Sequence, residues 1–286
     1  MTITLGVLAY LMLQLSAVVM AWQAVRGART PQGSVGWVVF LLSLPVLAVP
    51  AYLFLGHHRL SGLLVARRDS ARVVTAVQDF SARHRPERAP EMPTGAFEAA
   101  AQFPVVRGNS MTLLIDGRAT FDAIFAAIDG AEAYVLVQFY ILRDDRLGRD
   151  LQDRLIAARA RGVSVWVDYD AVGSIGLPES YRRRLVEAGI RVMDPRRDRG
   201  PTRRFQINYR NHRKTVVVDG REGFIGGHNV GVEYLGESPR FGRWRDTHAA
   251  LRGPVVAQQQ LIFAEDWHYA TGENITGALS WEPGRH

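Results

Sequence analysis

Cysteine is absent from the 286 residues, which excludes disulfides and thiolate metal sites and suits a reducing compartment. Lysine is almost absent as well. Of 35 basic residues, Lys214 alone is lysine and the other 34 are arginine. Arginine presents a wide planar fork and lysine a compact point charge on a flexible stem, so the two are not interchangeable. A lysine kept once in an arginine-rich chain marks a place where a narrow anion site excludes the fork. Acidic residues are the minority, 28 against 35, leaving a net charge of +7. That balance points to anionic partners: nucleic acid, anionic lipid or a phosphorylated substrate. With 47% hydrophobic and 22% charged residues, the composition is that of a folded protein.

Charge is also missing from two long stretches. Residues 1–25 hold no charged side chain, and residues 30–58 hold no Asp, Glu, Lys or Arg. A run of the first kind is long enough to cross a hydrocarbon core of roughly 30 Å. A cleaved signal peptide is the rival, but it opens on a positive segment and has a shorter apolar run. The second stretch is centred on residues 35–55 and interrupted by Pro45 and Pro50, which a membrane helix tolerates as kinks. Together they predict a two-helix transmembrane hairpin over residues 1–56. Arg26 and Arg29 lie in the turn, and Arg59, Arg67, Arg68 and Arg72 follow the second span. This asymmetry places the larger part in the cytoplasm, under a multi-pass inner-membrane anchor. Residues 57–104 read as a basic linker. Within it, 60–80 form either an amphipathic helix on anionic headgroups or a solvated connector. His57 and His58 mark the membrane exit rather than a metal site.

Residues 105–286 alternate between strand-like and helix-like periods. Strands are expected at 111–115, 134–142, 163–168, 190–193 and 214–218. Helices are expected at 117–128, 147–161, 179–188 and 256–267, the last a closing helix in which Trp267 packs. The order predicts an α/β domain with much of its sheet parallel. Residues 182–214 hold twelve arginine or lysine residues against Glu187, Asp194 and Asp198. This run leads directly into the most informative stretch, so attraction of an anion to a site is the better reading than a solvated face.

That stretch is Asn211-His212-Arg213-Lys214-Thr215-Val216-Val217-Val218-Asp219, followed by Gly226-Gly227-His228-Asn229. On a strand, His212, Lys214 and Val216 share one face. An imidazole can attack phosphorus or carry a proton, and an ammonium beside it stabilises charge on phosphoryl oxygens. Gly226 and Gly227 permit close approach of backbone to a bound group, and Asn229 offers an amide donor. Glu233 lies near enough to approach the site, although helix capping is the simpler role.

The pattern resembles the signature of the phospholipase D superfamily, His-x-Lys-x4-Asp-x6-Gly-Gly-x-Asn. His212, Lys214, Asp219, Gly226, Gly227 and Asn229 match it position by position. Three further stretches, 138–141, 209–214 and 244–248, together with the N-terminal spans, resemble bacterial cardiolipin synthases. The resemblance implies a phospholipase D-like half-domain, a mixed sheet flanked by helices, behind the membrane hairpin. It implies a phosphatidyltransferase that joins two phosphatidylglycerols into cardiolipin and glycerol through a phosphohistidine, without metal or cofactor. His212 would be nucleophile or acid/base. Lys214 and Asn229 would hold phosphoryl oxygens, with Arg213, Gly226 and Gly227 lining the substrate. Asp219 would be mainly structural. Asp246 would orient the far nitrogen of the histidine, or else simply begin a strand. His248, two residues on, reads as a hydrogen-bonded structural histidine rather than a second catalytic one.

The superfamily pattern has two such motifs, whereas Lys214 allows only one here. A second would come from a dimer mate or from a missing C-terminal half; otherwise activity is lost, since no general acid completes the cycle. The alternatives are a single-motif phosphodiesterase or nuclease of the same superfamily, which the membrane hairpin argues against, and an inactive lipid-binding fragment. Expected partners are therefore anionic phospholipid, the membrane and a second copy or half, with no nucleic acid.

Overall fold

The computed structural model describes residues 2–26, 31–53, 75, 78–79, 81–88, 92–101, 103–193 and 211–281. His57, His58 and most of 57–91 lie outside them, as do residues 194–210 of the basic run. The chain divides into two compact units, one holding the N-terminal helices and the other the sheet.

In the N-terminal unit, α1 spans Thr2–Arg26, α2 Pro31–Ser43 and α3 Pro45–Ala51. Small residues one and two turns apart on α1, Ala17, Ala21 and Ala24, are buried against Leu41, Ala48, Val49 and Tyr52. Small side chains let helix backbones approach closely where no aqueous hydrophobic effect drives them together. The rest of α1 stays apolar but uncovered: Leu8, Met12, Leu15 and Trp22 are all more than half exposed. Gly6–Arg26 is long and apolar enough to cross a membrane. The expected second span is broken instead. Leu44 leaves the helical region (φ −136°, ψ 61°) because proline follows it at position 45, so α2 is only 13 residues long.

The other unit is built on one seven-stranded sheet, ordered β1-β7-β6-β5-β2-β3-β4. The strands are β1 Ser110–Ile115, β2 Tyr134–Phe139, β3 Ser164–Tyr169, β4 Arg191–Val192, β5 Thr215–Val218, β6 Glu222–Gly226 and β7 Thr247–Arg252. Before the sheet comes α4 (Gly95–Ala101). Between strands run α5 (Asp116–Asp129), α6 (Arg146–Ala160) and α7 (Glu179–Glu187), and α8 (Val255–Thr271) closes the chain. β2 is buried at every residue, as a continuous apolar strand at the centre of a two-sided sheet must be. One face packs Val135, Val137, Val216 and Val218 against Phe121, Ile124 and Leu151 of α5 and α6. The other packs Leu136, Trp166 and Val217 against Val256, Phe263 and Trp267 of α8.

The sheet is less parallel than its sequence suggests. Only β2–β3 and β3–β4 pair in parallel; the other four pairings are antiparallel. The turn after β5 makes one of these, β5–β6. Asp219 and Gly220 both have positive φ (54° and 65°), and Arg221 N donates to Val218 O at 3.0 Å. Asp-Gly at the two central positions is the signature of a tight hairpin, which returns the chain antiparallel. β1 lies at the far edge, paired with β7 rather than with β2.

Asp219 does more than turn the chain. Its carboxylate accepts from the backbone N–H groups of Glu132 (2.9 Å), Ala133 (2.8 Å) and Tyr134 (2.8 Å), pinning the entry to β2. Asp219→Ala is expected to lower unfolding stability by about 2–3 kcal/mol, since three donors lose a charged acceptor and alanine strains the turn. Thermal unfolding in detergent checks this, and Asp219→Asn should recover part of the loss.

Candidate active site

One end of the sheet gathers the exit of β2, the entry to β5, the exit of β6 and the entry to β7. His212 precedes β5, which begins only at Thr215, so His212 and Lys214 stand in coil rather than on a shared strand face. They converge nonetheless, on one ring. The imidazole of His212 stacks on Tyr140 with centroids 3.8 Å apart and an interplanar angle of 25°. The Lys214 Nζ lies 5.1 Å from the same ring centroid and donates to the His212 carbonyl at 2.6 Å. His212 is exposed and Lys214 half-buried. Burial holds the Lys214 ammonium below its ordinary pKa, and the nearby Asp246 carboxylate opposes that.

Sequence reasoning reaches Tyr140 only within the 138–141 stretch and assigns it no role. The available signal was its position just past the end of a buried parallel strand, where α/β sheets place ligands. The loop after β3 braces it. Asp170 accepts from Val172 N (2.8 Å) and Gly173 N (3.0 Å), and Ser174 Oγ donates to Tyr140 O at 3.3 Å. Any side chain at Gly173 would collide with that carbonyl.

The remaining motif residues are turned to other partners. Asn229 is buried; its Oδ1 accepts from Ile141 N (2.9 Å) and its amide donates to Tyr234 Oη (2.9 Å). Gly226 and Gly227 do permit a close approach, but of protein: a Cβ at the first would strike His248, and at the second the Asp246 carboxylate. Arg213 turns to Asp266 of α8, which also accepts from Asn211 Nδ2 (3.0 Å) and Gln138 Nε2 (3.1 Å). Asp219 sits at the opposite end of β5 from His212. Glu233 lies in the first turn of the short helix Val232–Leu235 and pairs with Arg143 (3.0 Å). In the basic run, Arg182, Arg183, Arg184 and Arg191 pair with Glu179, Glu187, Asp153 and Glu273, so these four charges are largely neutralised locally.

Asp246 makes no hydrogen bond to His212 among the described residues. It is fixed by reciprocal bonds with Asp116: Asp116 N donates to its carbonyl (3.0 Å), and its own N–H donates to Asp116 Oδ1 (3.2 Å). Its carboxylate instead influences Lys214, His228 and His248. The two histidines are fully buried with rings 5.6 Å apart. Burial depresses the pKa of both. His248 falls to about 4, pushed further down by His228 and Lys214 and opposed by Asp246. His248 is thus a neutral packed histidine, and neither ring nitrogen finds a partner among the described residues.

Residues 124–238 match the family model described as cardiolipin synthase, PLD-like domain. This stretch of the chain is similar to the phospholipase D-like domains of cardiolipin synthases. Cardiolipin synthase A of Pseudomonas putida is 45% identical over 268 residues, covering 91% of this chain and 56% of that protein. Cardiolipin synthase A of Pseudomonas aeruginosa is 43% identical over 267 residues, covering 91% of this chain and 54% of that protein. The chain therefore spans about half the length of the curated relatives it matches. Among solved structures, NucT from Helicobacter pylori superposes with a TM-score of 0.45 at 14% identity, over 57% of this chain and 99% of that one.

Two outcomes follow from this geometry. Tyr140→Leu should speed carbethoxylation of His212 about fivefold, the equivalent of losing ~1 kcal/mol of ring contact, while Tyr140→Phe leaves it unchanged. Peptide mass spectrometry reads the rate. Separately, a histidine with a depressed pKa takes up its proton only on unfolding, so stability is lost as pH falls. For His248 the loss runs from its ordinary 6.5 down to about 4. Unfolding temperature against pH should drop through that window, and less steeply in His248→Gln.

Proposed function

We propose that this domain provides the histidine–lysine half of a membrane-anchored phosphatidyltransferase of the cardiolipin synthase type. The observation that carries the reading is the convergence of an exposed imidazole and a half-buried ammonium on Tyr140, at the open end of the sheet. The stack fixes the imidazole plane. Lys214 stands within reach of the same bound group and is partly desolvated, where its charge acts on phosphoryl oxygens more strongly than in water.

In this reading His212 attacks the phosphorus of one phosphatidylglycerol. The phosphorus–oxygen bond to the terminal glycerol breaks, and that glycerol leaves with a proton from a second histidine. The same second histidine then removes a proton from the hydroxyl of another phosphatidylglycerol, which attacks the phosphohistidine and releases cardiolipin and His212. The second histidine comes from another copy of the chain or from a further half such as the relatives' greater length would hold. Lys214 holds the phosphoryl oxygens. Asn229 and the two glycines act by shaping the loop beside His212, and Asp246 by tuning Lys214. The hydrophobic N-terminal helices anchor the domain in the inner membrane with the sheet on the cytoplasmic side, as the arginines flanking the spans favour.

Radiolabelled phosphatidylglycerol in vesicles with the reconstituted protein should yield cardiolipin and free glycerol. His212→Ala is expected to abolish both, and Lys214→Ala to slow them about 100-fold or more. Undiminished turnover in His212→Ala would overturn the assignment.

A further inference from the structure

The segment between the helix Val232–Leu235 and β7 contains Pro239-Arg240-Phe241-Gly242-Arg243-Trp244-Arg245, a run without an acidic residue that lies between Glu237, which pairs with Arg118 and Arg146, and Asp246. It is a tight turn. Phe241 N and Gly242 N both donate to Ser238 O, at 3.2 and 2.8 Å, and Gly242 takes a positive φ of 63°. The turn thrusts Phe241 outward, leaving a large aromatic side chain 51% exposed. Arg240 lies over that ring at 5.3 Å. Neither Arg240 nor Arg243 has an acidic partner among the described residues, unlike the arginines of α7. An exposed aromatic tip flanked by arginines without acidic partners is suited to a lipid headgroup boundary. There the ring enters the acyl edge and the guanidinium groups stay with phosphates.

The turn is also joined to the site. Phe241 packs edge-on against Trp244 (6.0 Å), and Trp244 against Tyr234 (4.9 Å). The Tyr234 hydroxyl accepts from Asn229, which holds Ile141 next to Tyr140. At its other end the turn runs through Arg245, paired with Asp116 at 3.6 Å, into Asp246.

We propose that the 238–245 turn is a membrane-contact element that seats in the headgroup layer of an anionic bilayer and brings the His212–Lys214 end of the sheet to the lipid surface. This rests on the reading that the substrate is a phospholipid, but it makes a separable claim about binding.

The absence of cysteine gives a direct test. Phe241→Cys, labelled with an environment-sensitive fluorophore, is reconstituted into nanodiscs of phosphatidylcholine alone or mixed with phosphatidylglycerol. The expected result is a blue-shifted, acrylamide-protected label only in the mixed discs. Arg240→Gln and Arg243→Gln should each reduce the preference for anionic discs about fivefold, the fold-change corresponding to ~1 kcal/mol per basic residue near an anionic surface. A label equally open to acrylamide in both discs overturns the proposal. So does one equally protected in both discs and in detergent, which would show that a second copy or domain covers the turn. A label protected only in anionic discs, in a protein that forms no cardiolipin, would uphold the membrane contact and remove the transferase reading instead.

Discussion

The antiparallel pairing of β2 with β5 is the constraint on which the site depends. Val135 faces Val218 at one end of the pair and Gln138 faces Thr215 at the other. A slip of one residue would turn every side chain of either strand to the opposite face. The pair is pinned at the end remote from the site, where Asp219 receives three N–H groups from the residues that begin β2. Counting on along the strands from that pin sets Tyr140 level with Arg213, between His212 and Lys214. The aspartate of the motif therefore holds the register of β2 on β5 from the far end of a four-residue strand.

A second layer of control is electrostatic. The Asp246 carboxylate acts on Lys214 and on His228 and His248, and burial lowers the pKa of all three. Protonated, His248 would repel Lys214. The glycine pair at 226–227 makes this arrangement possible, because only backbone without a Cβ lets β6 lie against Asp246 and His248.

Much of this was legible from the chain alone. Alternating periods located β3 and helices α5 to α7 to within a residue of their ends, whereas β2 stops three residues short of the expected 142 and α8 runs four beyond the expected 267. The lone lysine and its neighbours indicated phosphoryl chemistry. What escaped was long-range. Nothing local in 110–115 says that β1 joins the far edge of the sheet, because edge pairing is decided by the partner strand. The position of Tyr140 depends on a register fixed at Asp219, which holds the start of β2 at Tyr134, 85 residues before it in the chain. Asn229, Arg213 and the glycines read as ligand-facing because the motif places them near His212 in sequence. In the fold, other protein groups claim them first: Ile141 and Tyr234, Asp266, and Asp246 with His248. The second apolar span failed as one helix because proline restricts the residue before it, and Leu44 takes a non-helical conformation.

Lys214 is the chain's single side-chain amine, and burial weakens its hold on its proton. Acylating reagents, which need the unprotonated amine, therefore have one side-chain target in 286 residues, and it stands at the candidate site. A lysine-directed protease likewise has one bond to cut, between the coil that carries His212 and the first residue of β5. An arginine-for-lysine economy has left the protein chemically addressable at its candidate site.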